Sequence, residues 1–385
     1  MGYFTKDKIE QLSVHATPFY YYDLEVLNKT LLSINAAVKN KPFVVHYAIK
    51  ANANKPILEQ IKAQGFGIDC VSGNEIKRAI ELGFSSSKIA FAGVGKTDEE
   101  INYGLDQDIF TFNVESLAEL KIIDELATKK GKIVGIAIRL NPNVNAKTHH
   151  YITTGLEENK FGINTWELPE FFELFKTLQH IKLKGIHFHI GSQINDLTVF
   201  KSLCNRVNDF QQQFRERGII LDHINVGGGL GVNYESPDEE TIPDFGAFFK
   251  VFDDFLELEP NQEVHFELGR SVVAQCGSLI SRVLYIKEGI KTNFAILDAG
   301  MTELIRPALY QSYHKVENIS QLGQPNNKKY DVVGPICESS DCFGKAIDLP
   351  ETKRGDLMAI RSAGAYGEVM SSSYNLRDKA KSIYK

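Results

Sequence analysis

From Phe43 onward, short apolar runs alternate with amphipathic stretches. Eight of the runs, near 43–49, 66–69, 88–92, 109–113, 133–140, 183–189, 222–226 and 263–267, have the length and the β-branched and aromatic content of strands. Between them the apolar residues take helical spacing, as in ESLAELKIIDELATK, where Leu117, Leu120, Ile123 and Ala127 fall on one face. Phe43-Val44-Val45-His46-Tyr47-Ala48-Ile49 is nearly continuous in its apolar character, the pattern of a strand buried on both faces. Eight strand–helix units predict an α/β fold, a closed (β/α)8 barrel of the TIM type over residues 25–270. That span matches the roughly 250 residues such a barrel needs. A doubly wound open sheet is the alternative.

After Arg270 the texture changes. SLISRVLYIKEG, NFAILDAG, KYDVVGP and GDLMAIRSAGAYG are strand-like, turn-separated and free of regular helices, so 271–385 reads as a mainly-β domain. Residues 1–24 carry FYYYDLE, an aromatic strand without a local partner, which predicts that this arm completes the β-domain. QLGQPNNKK, 321–329, reads as an exposed hairpin connection.

Composition narrows the function classes without naming one. Hydrophobic residues make up 43% and charged residues 24%, values of an ordinary globular chain. The net charge of −6 disfavours a nucleic-acid surface but leaves room for a local anion pocket. Five scattered cysteines without a CxxC pair or a nearby histidine set predict neither a disulfide framework nor a metal site. The N-terminus lacks an apolar signal core, and Lys6 stands where a myristoylation pattern has Ser or Thr. A cytoplasmic protein, without membrane or nucleic-acid partners, is expected.

In a parallel barrel the chemistry sits at the carboxyl ends of the strands. Here those ends are polar: Lys50, Asp69, His187 to Ser192, Gly227 to Gly231, and Glu267-Leu268-Gly269-Arg270. A lysine closing a buried strand either snorkels to solvent or is used. Gly227, Gly228 and Gly229 form either a flexible turn or a place where backbone N–H groups approach a phosphate. Lacking both a P-loop lysine and G-x-G-x-x-G spacing, they suit the phosphate of a cofactor better than ATP. Of the two histidines near the end of this strand, His189, beside Gly191-Ser192, is assigned to the site and His187 to the core. Glu267 is either the ion-pair partner of Arg270 or an anion that keeps a heteroaromatic nitrogen protonated. Asp69 is either a site residue or the cap of a helix starting near Asn74. Together an amine, a phosphate cradle, a ring for stacking and a carboxylate meet the demands of pyridoxal 5'-phosphate.

The motifs resemble those of the fold-type III pyridoxal-phosphate decarboxylases nearly end to end: YAIKAN (47–52), DCVSGNE (69–75), RLNPNVNAKTHHYITTGLEENKFGI (139–163), HIGSQI (189–194), GGGLG (227–231), RPALYQSYH (306–314), CESSDCF (337–343) and GAYGE (364–368). YAIKAN and GGGLG fit the wider group, with its ornithine, arginine and carboxynorspermidine decarboxylases, whereas RPALYQSYH with CESSD resembles the diaminopimelate branch. The resemblance implies that Lys50 carries the cofactor, that His189 stacks on its ring, that Ser192 and Gly227–Gly229 bind its phosphate, and that Glu267 binds its ring nitrogen. Asp69, Gly269, Arg270 and Tyr366 complete the implied cofactor pocket. Arg270, Arg306 and Tyr310 would meet the spectator carboxylate of an amino-acid substrate, Glu338 its distant ammonium group, and Tyr366 would line the same pocket. Cys337 would return the proton and, with Glu338, come from the neighbouring subunit of a homodimer. The implied reaction is decarboxylation of meso-2,6-diaminopimelate to L-lysine; another basic amino acid as substrate, or a catalytically silent regulatory relative, are the alternatives. The chain departs from the family's usual E-P-G-R in having Leu268, and it ends earlier than most relatives. TTGLEENKFGI resembles a family segment, but the sequence leaves the loop at 141–160 undefined as a lid.

Overall fold

The computed structural model describes residues 3–144 and 160–385. Most of the loop at 141–160, namely 145–159, lies outside the described residues. Contacts divide the chain into two compact units, one of Leu31–Gly231 and Asp244–Gly269, the other of Met1–Thr30, Val232–Pro243 and Arg270–Lys385.

The first unit is the closed parallel barrel. Its strands are Phe43–Ala48, Gly67–Cys70, Ile89–Phe91, Thr111–Val114, Val134–Arg139, Ile181–His187, His223–Asn225 and Glu263–Leu268, so each of the eight apolar runs became a strand. The last closes on the first with Phe43 opposite Val264 and Tyr47 opposite Leu268. Alternation sorts each strand into two faces. Phe266 points outward, its ring edge-on to Phe248, Phe249 and Phe252 of the helix Phe245–Phe255. His265 and Glu267 point into the lumen, where His46, Asn113 and Asn225 meet them. Helices start where the sequence supplies caps: Ser72, Thr97 and Ser116 each accept a backbone N–H from the first turn, worth about 1 kcal/mol apiece. In the helix Leu117–Lys130 the predicted face, Leu117, Leu120, Ile123 and Ala127, is buried, and Gly131 ends it in the left-handed region at φ +63°.

The second unit is an eight-stranded sheet. The aromatic arm Phe19–Tyr22 runs antiparallel to Gly277–Glu288 and parallel to Lys381–Tyr384, so its partners lie in the last third of the chain. All four arm residues are buried, and the hydroxyls of Tyr20 and Tyr22 donate to the Glu303 carbonyl and the Glu368 carboxylate at 2.7 Å each. Phe19 and Tyr21 pack with Phe4, Leu12, Ile280 and Leu357 in this unit's core. The segment 321–329 is largely exposed but joins no hairpin. Val316–Asn318 before it pairs with Leu357–Ile360, whereas Lys328–Val333 after it pairs with Asn293–Leu297 and Cys342–Leu349. Among the described residues no helix is long and apolar enough to cross a membrane.

Candidate active site

Lys50 lies in a single 3-10 turn, Ile49–Ala51, directly after the first barrel strand. Its Nζ is 3.1 Å from Asp69 Oδ2; the lysine side chain is 36% exposed and the aspartate fully buried. Asp69 does not cap the following helix, because Ser72 does. Its second oxygen, Oδ1, is buried without a hydrogen-bond partner. Such an orphan costs about 1–3 kcal/mol, a debt that a donor on a bound group removes.

Glu267 is held differently. Its Oε1 accepts from Asn113 Nδ2 at 3.1 Å and Asn225 Nδ2 at 2.8 Å, and Oε2 lies 3.2 Å from His187 Nε2. Asn113 and Glu267 stand on the fourth and eighth strands, which are not neighbours, so the bond crosses the lumen. Burial by itself would raise the Glu267 carboxyl, but His187 and Lys50 outweigh it and hold the group well below the usual carboxylate range. Asp69 goes the other way: burial and the charge of Glu267 push it up to about 7 against the pull of Lys50. Two buried carboxylates are thus set apart by their donors, Glu267 fixed as an anion and Asp69 close to neutrality.

The glycine turn follows Asn225, the last residue of the seventh strand. Gly227 and Gly229 have φ of +71° and +107°, and a Cβ on Gly228 would overlap the Glu267 carbonyl oxygen. No side chain fits there, for reasons of backbone packing as well as conformation. The Gly227 N–H donates to Asn225 Oδ1 at 2.9 Å, so one asparagine ties both the turn and Glu267. Ile194 N donates to the Gly229 carbonyl at 2.9 Å, which seats the turn against the half-buried Ser192 segment.

The sixth strand stops at His187, and since residues two apart share one strand face, nothing in the alternation parts His189 from His187; the assignment of His187 to the core is corrected by its contact with Glu267. Both rings belong to this cluster, His187 through Glu267 and His189 through a long 3.4 Å bond from the Gly228 N–H. Burial, reinforced by Arg139 and Lys50, lowers the His189 imidazole to about 3 and keeps it neutral. Gly269 is buried just past the last strand.

In the other unit, Arg270 and Arg306 open the short helices Arg270–Val273 and Arg306–Tyr310, and both are buried. Their Nη1 groups donate to one oxygen, the Tyr234 hydroxyl, at 2.6 and 2.9 Å. Arg270 also lies over the ring of Tyr366, 5.0 Å from its centroid, and Tyr310 is half-buried at the end of the Arg306 helix. Cys337 and Glu338 are exposed, on a loop that Asp341 organises by accepting the N–H groups of Met301 and Ile336 at 2.6 and 2.7 Å. The Glu338 carboxylate accepts from Tyr374 at 2.9 Å. Sequence reasoning missed Asn113, Asn225, Tyr234 and the role of His187. Only the position of Asn225, two residues before the glycines, offered a signal.

An amine at the barrel mouth, a carboxylate oxygen awaiting a donor, a second carboxylate locked as an anion, a neutral imidazole and a side-chain-free turn fit pyridoxal phosphate. This is the donor set of a barrel enzyme that uses that cofactor. The sequence profile described as "Pyridoxal-dependent decarboxylase, pyridoxal binding domain" matches residues 25–274, and the chain belongs to that family. Over 381 residues it is 56% identical to the diaminopimelate decarboxylase of Bacteroides thetaiotaomicron, covering 99% of this chain and 97% of that protein. Its fold is similar to the crystal structure of diaminopimelate decarboxylase from Helicobacter pylori complexed with L-lysine, with a TM-score of 0.91 and 40% identity over 98% of this chain and 93% of that one. The lysine/ornithine decarboxylase of Vibrio vulnificus, at 22% identity and a TM-score of 0.85 over 99% of each chain, shares the fold. Within the family, the chain belongs with the diaminopimelate decarboxylases.

Proposed function

We propose that the protein decarboxylates meso-2,6-diaminopimelate to L-lysine and carbon dioxide, the last step of lysine synthesis, in the cytoplasm. The observation that carries the chemistry is the lumen pair of Asp69, short of a donor beside Lys50, and Glu267, locked as an anion by Asn113, Asn225 and His187. The similarity to diaminopimelate decarboxylases supports the choice of substrate. Five cysteines outside any disulfide support a reducing compartment.

Lys50 would hold the aldehyde carbon of the cofactor, with Asp69 close enough to take or give the proton of its amine. Glu267 would keep the ring nitrogen protonated, and His189, neutral, would cover a ring face without adding charge. Gly227–Gly229 and Ser192 would receive the phosphate. Pyridoxal phosphate, when bound, supplies an electron sink for the pair left behind as carbon dioxide departs. Arg270 and Arg306 would orient the substrate by its spectator carboxylate, since paired guanidinium forks suit that group. Tyr310 and Tyr366 would flank it. Glu338 would take the distant ammonium, and the Cys337 thiol would give its proton to the carbon that lost carbon dioxide. The exposure of Cys337 and Glu338 supports their assignment to the site of a second subunit, in a homodimer.

The test is carbon dioxide release from meso-diaminopimelate by the cofactor-loaded protein, with Lys50→Ala as control. Release that disappears in Lys50→Ala is the expected result. Release from ornithine or arginine but not from diaminopimelate would overturn the substrate assignment.

A further inference from the structure

Arg270 and Arg306 are two buried cations whose Nη1 groups meet at a single oxygen, and the reading above does not say what holds them together. Arg306 is 5% exposed and forms no ion pair with a carboxylate among the described residues. Its Nη1 goes to Tyr234, its Nη2 to Ser312 Oγ at 3.2 Å, and its Nε is buried without a partner. Burial and the repulsion of Arg270 disfavour its charge, and Tyr234 opposes them. A phenol oxygen has two acceptor sites, and here both are taken, one by each arginine. The ring is itself fixed. It stands edge-on to His314 at 5.0 Å, and both guanidinium groups lie near its face, 5.9 and 5.1 Å from the centroid.

We infer that Tyr234 is a positioning residue for substrate selection: its hydroxyl clamps Arg270 and Arg306 side by side as one receptor for the spectator carboxylate. The inference rests on the proposed reaction. Guanidinium forks are directional, so two of them receive one carboxylate only if both are held, and a phenol does this without bringing the full charge that a carboxylate clamp would use to compete with the substrate. Burial alone would push the Tyr234 phenol up, but Arg270 and Arg306 more than reverse this, in keeping with an oxygen polarised by two cations.

The experiment compares wild-type and Tyr234→Phe holoenzymes using turnover of diaminopimelate and inhibition by L-lysine and by cadaverine. L-Lysine keeps the spectator carboxylate, and cadaverine lacks it. Losing an acceptor to charged donors is expected to raise KM and the lysine inhibition constant about tenfold, with the cadaverine constant moving less than about twofold and kcat falling less than KM rises. A merely structural tyrosine would shift both inhibition constants alike, or neither, and either result overturns the clamp. If Tyr234→Phe does not fold, p-aminophenylalanine at position 234, similar in outline but a poor acceptor, is expected to give the same selective loss; equal shifts again refute it. Should wild-type protein release no carbon dioxide from diaminopimelate, the reaction reading fails by itself. The lysine-to-cadaverine binding ratio, measured by calorimetry, then decides the clamp separately.

Discussion

Asn225→Ala removes one side chain that serves two parts of the barrel site. Its Nδ2 donates to Glu267 Oε1 at 2.8 Å and its Oδ1 accepts the Gly227 N–H at 2.9 Å, with Asn225 1% exposed. The substitution leaves a buried N–H with no acceptor and removes one of the two asparagine donors from an anionic oxygen, while Asn113 still holds it at 3.1 Å. An unsatisfied buried donor costs about 1–3 kcal/mol, and a lost charge-assisted bond is worth about the same, so the binding-competent arrangement loses roughly 2–6 kcal/mol. The turn would then trade its fixed geometry for others in which Gly227 reaches water. Apparent cofactor affinity falls by the fraction of competent molecules, which at the lower bound is about thirtyfold. The assay is titration of cofactor-stripped protein with pyridoxal phosphate, followed by the absorbance of the bound cofactor, with Asn225→Asp in parallel. The aspartate keeps the acceptor for Gly227 but sets a second carboxyl against the anionic Glu267, so its binding should weaken further as pH rises and that carboxyl ionises. An Asn225→Ala affinity within threefold of wild type would refute the linkage.

Asp69→Asn is expected to raise the melting temperature of the cofactor-free protein at about pH 8 and to change it little near pH 4. Asp69 titrates at about 7 in the fold, above its unfolded value, so the folded state binds the extra proton between those limits and the cost of the wild-type carboxylate is complete only above the window. Thermal melts across that range that do not diverge would contradict it. Acid should destabilise the barrel, because His46, His189 and His223 are held neutral by burial and by neighbouring cationic groups, and each would protonate near 6.5 when unfolded. Asp69 offsets one of these three protons over the same range, leaving about two, or roughly 3 kcal/mol lost per pH unit below about 6.5. Urea midpoints that stay flat from about pH 7 to 5 would count against this. Asp341→Ala strips the acceptor from the Met301 and Ile336 N–H groups and is expected to lower kcat at least about tenfold by loosening the Cys337–Glu338 loop. Steady-state kinetics with kcat intact would show that the loop keeps its geometry without it.

Some of this was legible along the chain because the cause was local. Apolar runs of strand length separated by helical faces are set by the alternation of buried and solvated positions, and all eight became barrel strands. Lys50, Asp69, the glycines and Glu267 were legible for a related reason: polar residues closing buried strands must be used or compensated, and a parallel barrel collects every such end at one mouth. The end of the sixth strand was harder to place. Residues two apart share one face of a strand, so parting His187 from His189 ran against the two-residue period, and both rings do reach the same cluster.

The sequence by itself determined the barrel, the partnerless aromatic arm and the residue types that a phosphate-bearing aldehyde cofactor requires, because hydrophobic period, turn chemistry and strand-end polarity act within a few residues. Only the tertiary structure decided which donors make Glu267 an anion and leave Asp69 near neutrality. Asn113 and Asn225 reach Glu267 across 154 and 42 residues of chain, and only closure of the barrel brings their strands together. The same holds for Tyr234, which lies 36 residues before one arginine and 72 before the other. Charge states and clamps of this kind depend on what surrounds a buried atom in three dimensions, and nothing local in the chain encodes that distance.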